Sequence, residues 1–246
     1  MVAGPAVMSG DAGIEVVDLA KSFGGRPVFS GLSLRVEKGE FVALVGPSGA
    51  GKTTLLRCLV RLVEADDGEI WVAGNAMHRL GGRGLSDARR HIGFIFQQFN
   101  LVRRRSALDN VIGGRLASMP FWRVALSLYD VWDLRAAERA LARVGLRDRS
   151  LLRADRLSGG QQQRVAIARA LVQESSVLLA DEPIASLDPH AARGVLALLR
   201  SLARDDGLTV LCSLHQHDLA REYADRVVAI EDLGSARAPW PARQSM

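Results

Sequence analysis

At 246 residues, 48% of them hydrophobic and 24% charged, the chain suits one large domain, or one domain with an inserted lobe, around a substantial core. No apolar run approaches the ~20 residues that cross a bilayer, and the opening MVAGPAVMSGDAG lacks the basic and apolar regions of an export signal, so a cytosolic or partner-attached protein is expected. The net charge of +5 rests on 32 basic residues, of which only Lys21, Lys38 and Lys52 are lysine; scattered arginines with 5% aromatics lack the interleaved pattern of a nucleic-acid binder.

From the N-terminus, IEVVDLAKSF (14–23) and the stretch around LSLRVEKGE (32–40) alternate apolar and polar residues, the period of half-exposed antiparallel strands. FVALV (41–45) is unbroken and apolar, as a strand buried on both faces requires, and runs straight into GPSGAGKTT. TTLLRCLVRLV (53–63) has helical spacing, and GEIWVAG and HIGFIFQ follow as strands. From about Asn100 to Asp155 the pattern is helical and arginine-rich, which predicts an inserted helical lobe. Strands return at VLLAD (177–181), LTVLCSL (208–214) and RVVAI (226–230), separated by helical segments. The alternation predicts an α/β fold: a mostly parallel sheet flanked by helices, with an antiparallel β edge and a helical insert. The expected division is a core of 14–99 and 156–232, a helical subdomain of 100–155, and a loose tail of 233–246 with little to bury. Cys58 and Cys212 fall far apart inside predicted elements, as buried small hydrophobes rather than a disulfide or metal pair.

Three motifs carry chemistry. GPSGAGKT fits G-x-x-x-x-G-K-[ST] between a buried strand and a helix, the context that pattern needs. The loop of Gly46, Pro47, Ser48, Gly49, Ala50 and Gly51 can turn so that successive N–H groups face phosphate oxygens, with Thr54 following in the helix. Lys52 would reach the β/γ-phosphates and the Thr53 hydroxyl would ligate Mg²⁺. This predicts a P-loop NTPase core that takes a nucleotide. VLLADEP is an apolar strand ending in two carboxylates whose side chains should leave on opposite sides. Asp181 then suits the Mg²⁺ shell, and Glu182 suits the orientation and polarisation of an attacking water. Pro183 stops the strand, having no N–H to donate. LSGGQQQRVAIARAL supplies a second anion-seeking helix start, with Ser158 as the cap and Gly159 and Gly160 permitting close backbone approach.

With LSGGQ preceding the ADEP strand by the usual interval, the chain resembles the nucleotide-binding subunit of ABC transporters from Ile14 to Ile230. The resemblance implies that Ser158, Gly159, Gly160 and Gln161 face the γ-phosphate held by the P-loop of a second copy, so that two ATP molecules lie between two chains. It also implies that Phe23 stacks on adenine and that Gln97, rather than Gln98, senses Mg²⁺ and water where core and lobe meet. Asp188, in ASLDP, matches the loop crossing the dimer seam, and at the same time suits a helix N-cap ahead of Pro189. His215, in SLHQHD, matches a histidine touching the γ-phosphate, preferred to His217 on family spacing.

IFQQFNLV, MPFWR (119–123), LSGGQQQRVAIARAL, ADEPIASLDP and LHQ together look most like the ATPase subunit of bacterial phosphonate importers. Phe121 and Trp122 read either as core anchors of the lobe or as part of a face meeting the permease. Arg103 to Arg105 read as a solvated face, with contact to permease or lipid headgroups as the alternative. After Ile230 the family's glycine-centred turn and closing strands are poorly matched. The expected function is therefore transport-coupled ATP hydrolysis in a sandwich dimer. It would drive phosphonate uptake through an integral-membrane permease served by a periplasmic binding protein, from the cytoplasmic face of the inner membrane. Import of phosphate, phosphite or an amino acid, or a scaffold role in a phosphonate-degrading complex, are the alternatives. An ABC ATPase acting on DNA or ribosomes fits less well, because the chain has one cassette and a modest insert.

Overall fold

The computed structural model describes residues 12–119, 123 and 129–234. Phe121, Trp122 and the tail beyond 234 lie outside the described residues. Five strands, β3 (Phe41–Val45), β6 (Ile92–Ile95), β7 (Val177–Asp181), β8 (Thr209–Leu214) and β9 (Arg226–Ala229), form a parallel sheet in the order β6-β7-β8-β3-β9. A second, antiparallel sheet has the order β2-β1-β4-β5, from β1 (Ala12–Phe23), β2 (Arg26–Glu37), β4 (Asp67–Val72) and β5 (Asn75–Ala76). The α/β class with an antiparallel edge read from the sequence is the observed one.

The unbroken apolar runs are explained by what covers them. Every residue of β3, β7 and β8 is buried, and successive side chains enter two different cores. Phe41, Ala43 and Val45, with Leu178, Ala180, Val210 and Cys212, join the core on the side of the long helices. These helices are α3 (Ala107–Ile112), α4 (Val131–Arg143), α5 (Gly159–Leu171) and α6 (Pro189–Asp206). Val42, Leu44, Val177, Leu179 and Leu211 join the opposite core, with α1 (Lys52–Leu59), α2 (Gly82–Arg90) and the antiparallel sheet. Cys58 and Cys212 are both buried free thiols; burial pushes the Cys58 thiol up to about 11. Burial of the thiol keeps it from ionising and makes it inert.

Three boundaries differ from the sequence reading. The helix over 53–63 ends at Leu59, because Arg61 takes a φ of 52° and its guanidinium bonds Glu64 and the Met77 carbonyl. Strand β2 starts at Arg26 rather than near Leu32, since Gly24 and Gly25, both with positive φ, make a two-residue hairpin turn that pairs Phe23 with Arg26. Leu233, assigned to the tail, ends a short 3-10 turn (Ile230–Leu233) and packs against the core beneath α1.

Four neighbouring strands of the parallel sheet, β6, β7, β8 and β3, end on the same edge. The loop 46–51 follows β3, Glu182 follows β7, His215 follows β8, and Gln97 lies two residues past β6. Ligands in open α/β sheets bind outside these carboxyl ends. No helix among the described residues is long and apolar enough to cross a membrane.

Candidate active site at the carboxyl edge of the parallel sheet

The loop 46–51 needs its glycines for space as well as for backbone freedom. Gly51 caps α1 with a φ of 97°, and a Cβ there would come within 2.7 Å of Val28 Cγ1. The first turn of α1 carries no acidic residue, so its positive end faces the loop unneutralised. Lys52 is 4% exposed, and its Nζ donates to the carbonyls of Gly46 (2.7 Å) and Pro47 (2.9 Å). Burial lowers its pKa, and Glu182, Asp181 and Glu231 pull it back toward the charged form.

Asp181 closes β7 on the α1 side of the sheet. Its Oδ1 accepts from Thr53 Oγ1 (2.9 Å) and from Ser213 Oγ (3.0 Å). The carboxylate of Glu182 turns elsewhere: Oε2 accepts from Gln97 Nε2 at 3.2 Å, and Oε1 makes a short contact with His215 Nε2. The two adjacent carboxylates thus have different partners, Glu182 lying just past the end of β7. Glu182 also has a φ of 49°, a left-handed conformation rare for a residue with a side chain. Its N–H donates to Ser213 Oγ at 2.9 Å.

Gln97 rather than Gln98, and His215 rather than His217, therefore reach Glu182. A cleft of about 180 Å³ is lined by Phe23, Val28, Gly49, Gly51, Lys52, Thr53, Thr54 and Glu182. Phe23 stands half-exposed at the hairpin end of β1, with Lys21 Nζ 5.1 Å from its ring centre. A larger cleft of about 450 Å³ lies between α2 and the end of α5, but its arginines are engaged locally, Arg89 on the carbonyls of Val60 and Arg61. Convergent phosphate-type donors and carboxylates, not volume, single out the smaller one.

Mg²⁺ takes one or two protein oxygens and completes its shell with phosphate and water. A threonine hydroxyl and a buried carboxylate at the mouth of a phosphate-facing loop fit that demand, so the residues present suit a magnesium nucleotide.

Ser158, Gly159, Gly160, Gln161 and Asp188 do not line this cleft. They gather around the starts of α5 and α6. Ser158 Oγ accepts from Gln161 N–H (3.4 Å), and Gln161 Oε1 accepts from Ser158 N–H (3.0 Å), a capping box. A Cβ on Gly160 would lie 2.9 Å from that of Ala191, so one of the two glycines is needed for helix packing within the chain itself. Asp188 caps α6, accepting from His190 N–H (3.0 Å) and Ala191 N–H (2.9 Å); these bonds, Ala191's first, hold its carboxyl below the usual range.

Sequence reasoning missed three groups. Ser213 bridges the Asp181 carboxylate and the Glu182 backbone N–H, and the only trace it left was a hydroxyl in an otherwise apolar strand end, two residues before His215. Asp66 accepts from Lys21 Nζ (2.6 Å), Ser22 N–H (2.6 Å) and Ser22 Oγ (2.7 Å), fixing the strand end that carries Phe23. Arg169, on α5, donates to the carbonyls of Asn100 (2.6 Å) and Phe99 (3.1 Å), gripping the loop behind Gln97.

Residues 29–185 match the family model described as ABC transporter. The chain belongs to the ABC transporter family. This ABC chain is 48% identical over 222 residues to a hypophosphite import ATP-binding protein of Stutzerimonas stutzeri, covering 90% of the chain but 65% of that protein's own length. It is 46% identical over 220 residues to a phosphonates import ATP-binding protein of Staphylococcus aureus, covering 89% of the chain and 86% of the relative. Among solved structures, a dimeric bacterial ABC transporter cassette superposes with a TM-score of 0.76 at 32% identity, over 88% of this chain and 93% of that one. The same cassette in a dimeric post-hydrolysis state bound to ADP and Pi superposes with a TM-score of 0.75 at 31% identity, with the same coverage.

Proposed function

We propose that this chain is the ATP-hydrolysing subunit of an ABC importer for phosphonate. The observation that carries the chemistry is the chain of contacts from Thr53 through Asp181 and Ser213 to Glu182, Gln97 and His215 at the mouth of the P-loop. The solute rests on the phosphonate relative. Hypophosphite is the second reading, favoured by the 48% identical relative.

On this reading Lys52 Nζ leaves the carbonyls of Gly46 and Pro47 for the phosphate oxygens, and the Phe23 ring stacks on the base. Thr53 and Asp181 would hold the shell of Mg²⁺, which would supply charge neutralisation on the phosphates. Glu182 takes up the water proton at an Oε atom as the water oxygen bonds to γ-phosphorus and the bond from phosphorus to its bridging oxygen breaks, leaving ADP and inorganic phosphate, with Gln97 and His215 fixing the carboxylate. Ser158 to Gln161 and Asp188, remote from the cleft of their own chain, complete the site of a second copy. The dimeric cassettes that superpose on this chain support that arrangement.

Residues 100–155 act as the subdomain that meets an integral-membrane permease, itself served by a periplasmic binding protein. The subunit then works peripherally at the cytoplasmic face of the inner membrane. The face it offers is apolar and basic: Leu151 (79% exposed) and Val102 (62%) lie beside Arg103–Arg105, joined by backbone bonds from Ala154 to Arg105 and from Asp155 to Arg103. This face lies just past Gln97 and just before Ser158 in the chain, so pressure on it reaches both.

The test is reconstitution in proteoliposomes with a phosphonate permease and its binding protein. ATP hydrolysis is expected to rise when phosphonate loads the binding protein. A response to hypophosphite alone would favour the second reading, and a response to neither would overturn the importer assignment for these solutes.

A further inference from the structure

Ser213, the penultimate residue of the buried strand β8, lies directly opposite Asp181 in the parallel register, with 0% of its surface exposed. Its neighbours on the strand, Val210, Leu211, Cys212 and Leu214, are apolar, so a hydroxyl there serves no solvent-facing purpose. A serine hydroxyl has one proton to give and lone pairs to receive. Here the proton goes to Asp181 Oδ1 (3.0 Å), and a lone pair takes the Glu182 N–H (2.9 Å).

Both partners depend on it. At Asp181 Oδ1 the Ser213 and Thr53 hydroxyls converge from opposite sides, setting the tilt of the carboxylate. At Glu182 the chain has just left the ladder, its φ is 49°, and the bond to Ser213 holds that peptide in place. The Glu182 side chain is fixed separately by Gln97 and His215, so its backbone anchor decides where the whole constellation sits.

We propose that Ser213 is a positioning residue for ATP hydrolysis, its buried hydroxyl fixing the ion-shell carboxylate of Asp181 and the base Glu182 relative to one another. The inference rests on the reading of Glu182 as the base. Ser213 does not line the cleft, so its loss is expected to fall on turnover more than on affinity. A hydrogen bond to a charged group matters enough to change a rate by roughly ten- to a hundredfold when it orients a reacting group.

The test compares Ser213→Ala and Ser213→Thr with the parent as full chains, measuring steady-state ATPase, the Kd of a magnesium-bound non-hydrolysable ATP analogue by calorimetry, and thermal melting. Ser213→Ala is expected to lower kcat about ten- to a hundredfold with the analogue's Kd within about threefold. Ser213→Thr, which keeps the hydroxyl, is expected to recover most of the rate even if the added methyl lowers the melting temperature. In a Glu182→Gln background the alanine substitution should lower the residual rate by a smaller factor than in the parent, because one of the two groups it positions no longer takes the proton. Wild-type kcat in Ser213→Ala, affinity lost in proportion to rate, or a threonine variant no better than alanine would each overturn the proposal. If Glu182→Gln alone hydrolyses ATP at the parent rate, it is the reading of Glu182 that falls.

Discussion

Glu182 carries a left-handed backbone that costs about 1–3 kcal/mol in a residue with a side chain. Nothing in a turn ahead of Pro183 requires it, and glycine would fill the position without strain. The conformation persists because Ser213 holds the peptide while Gln97 and His215 hold the carboxylate. Glutamine preserves this shape but accepts no proton. Glu182→Gln should therefore bind ATP with unchanged affinity and lose about 10²–10⁴ in turnover, the usual share of a positioned base. It should also accumulate as an ATP-bound dimer, readable by size-exclusion chromatography beside single-turnover kinetics. Hydrolysis at the parent rate would show that another group takes the proton.

At the level of elements, two small contacts decide how strands and helices serve the site. The end of β1 is pinned by Asp66, whose carboxyl is held down to about 2 from an ordinary 3.8, first by the Lys21 side chain and then by Ser22. A carboxyl with a depressed folded pKa adds stability above its unfolded pKa and loses it as pH falls through the folded one. Asp66→Ala should thus melt lower than the parent near pH 7, and the gap should close between pH 4 and pH 2; melting curves across that range check it. A gap unchanged at pH 2 would mean that the ion pair contributes nothing. The second contact is Arg169, which ties α5 to the loop behind Gln97. Movement of the helix that starts at Ser158 is therefore movement of the segment that touches Glu182.

The whole chain presents two separated half-sites. One gathers Phe23, the P-loop, Asp181, Glu182, Gln97 and His215; the other gathers Ser158 to Gln161 with Asp188. A closed symmetric dimer in which each half meets the other's complement uses both. Nucleotide shifts the chains toward closure only in so far as it binds the closed form better. Ser158→Arg places a bulky cation at the start of α5 and removes a cap worth about 1 kcal/mol, so a melting curve accompanies the kinetics. Nucleotide binding to the isolated folded chain should stay within about threefold of the parent, while hydrolysis and the ATP-dependent dimer disappear. Weakened binding in the monomer would instead mean that the two halves serve one nucleotide within one chain.

The sequence by itself determined the parallel sheet, its antiparallel edge and the P-loop, because unbroken apolar strands, alternating ones and a glycine loop before a helix each leave a local periodic trace. It also predicted that the side chains of Asp181 and Glu182 part, and their partners differ, although Glu182 lies past the strand with a left-handed φ. The resemblance already preferred Gln97 and His215, but only tertiary structure showed that both touch Glu182, because they arrive past β6 and β8, 85 and 33 residues away along the chain. Tertiary structure alone gave Ser213, Asp66 and Arg169 their roles, and Gly160 its packing duty against Ala191. The reason is physical: a hydrogen bond or a close approach depends on distance in space, and a lone serine or arginine has no period by which the sequence could announce its partner.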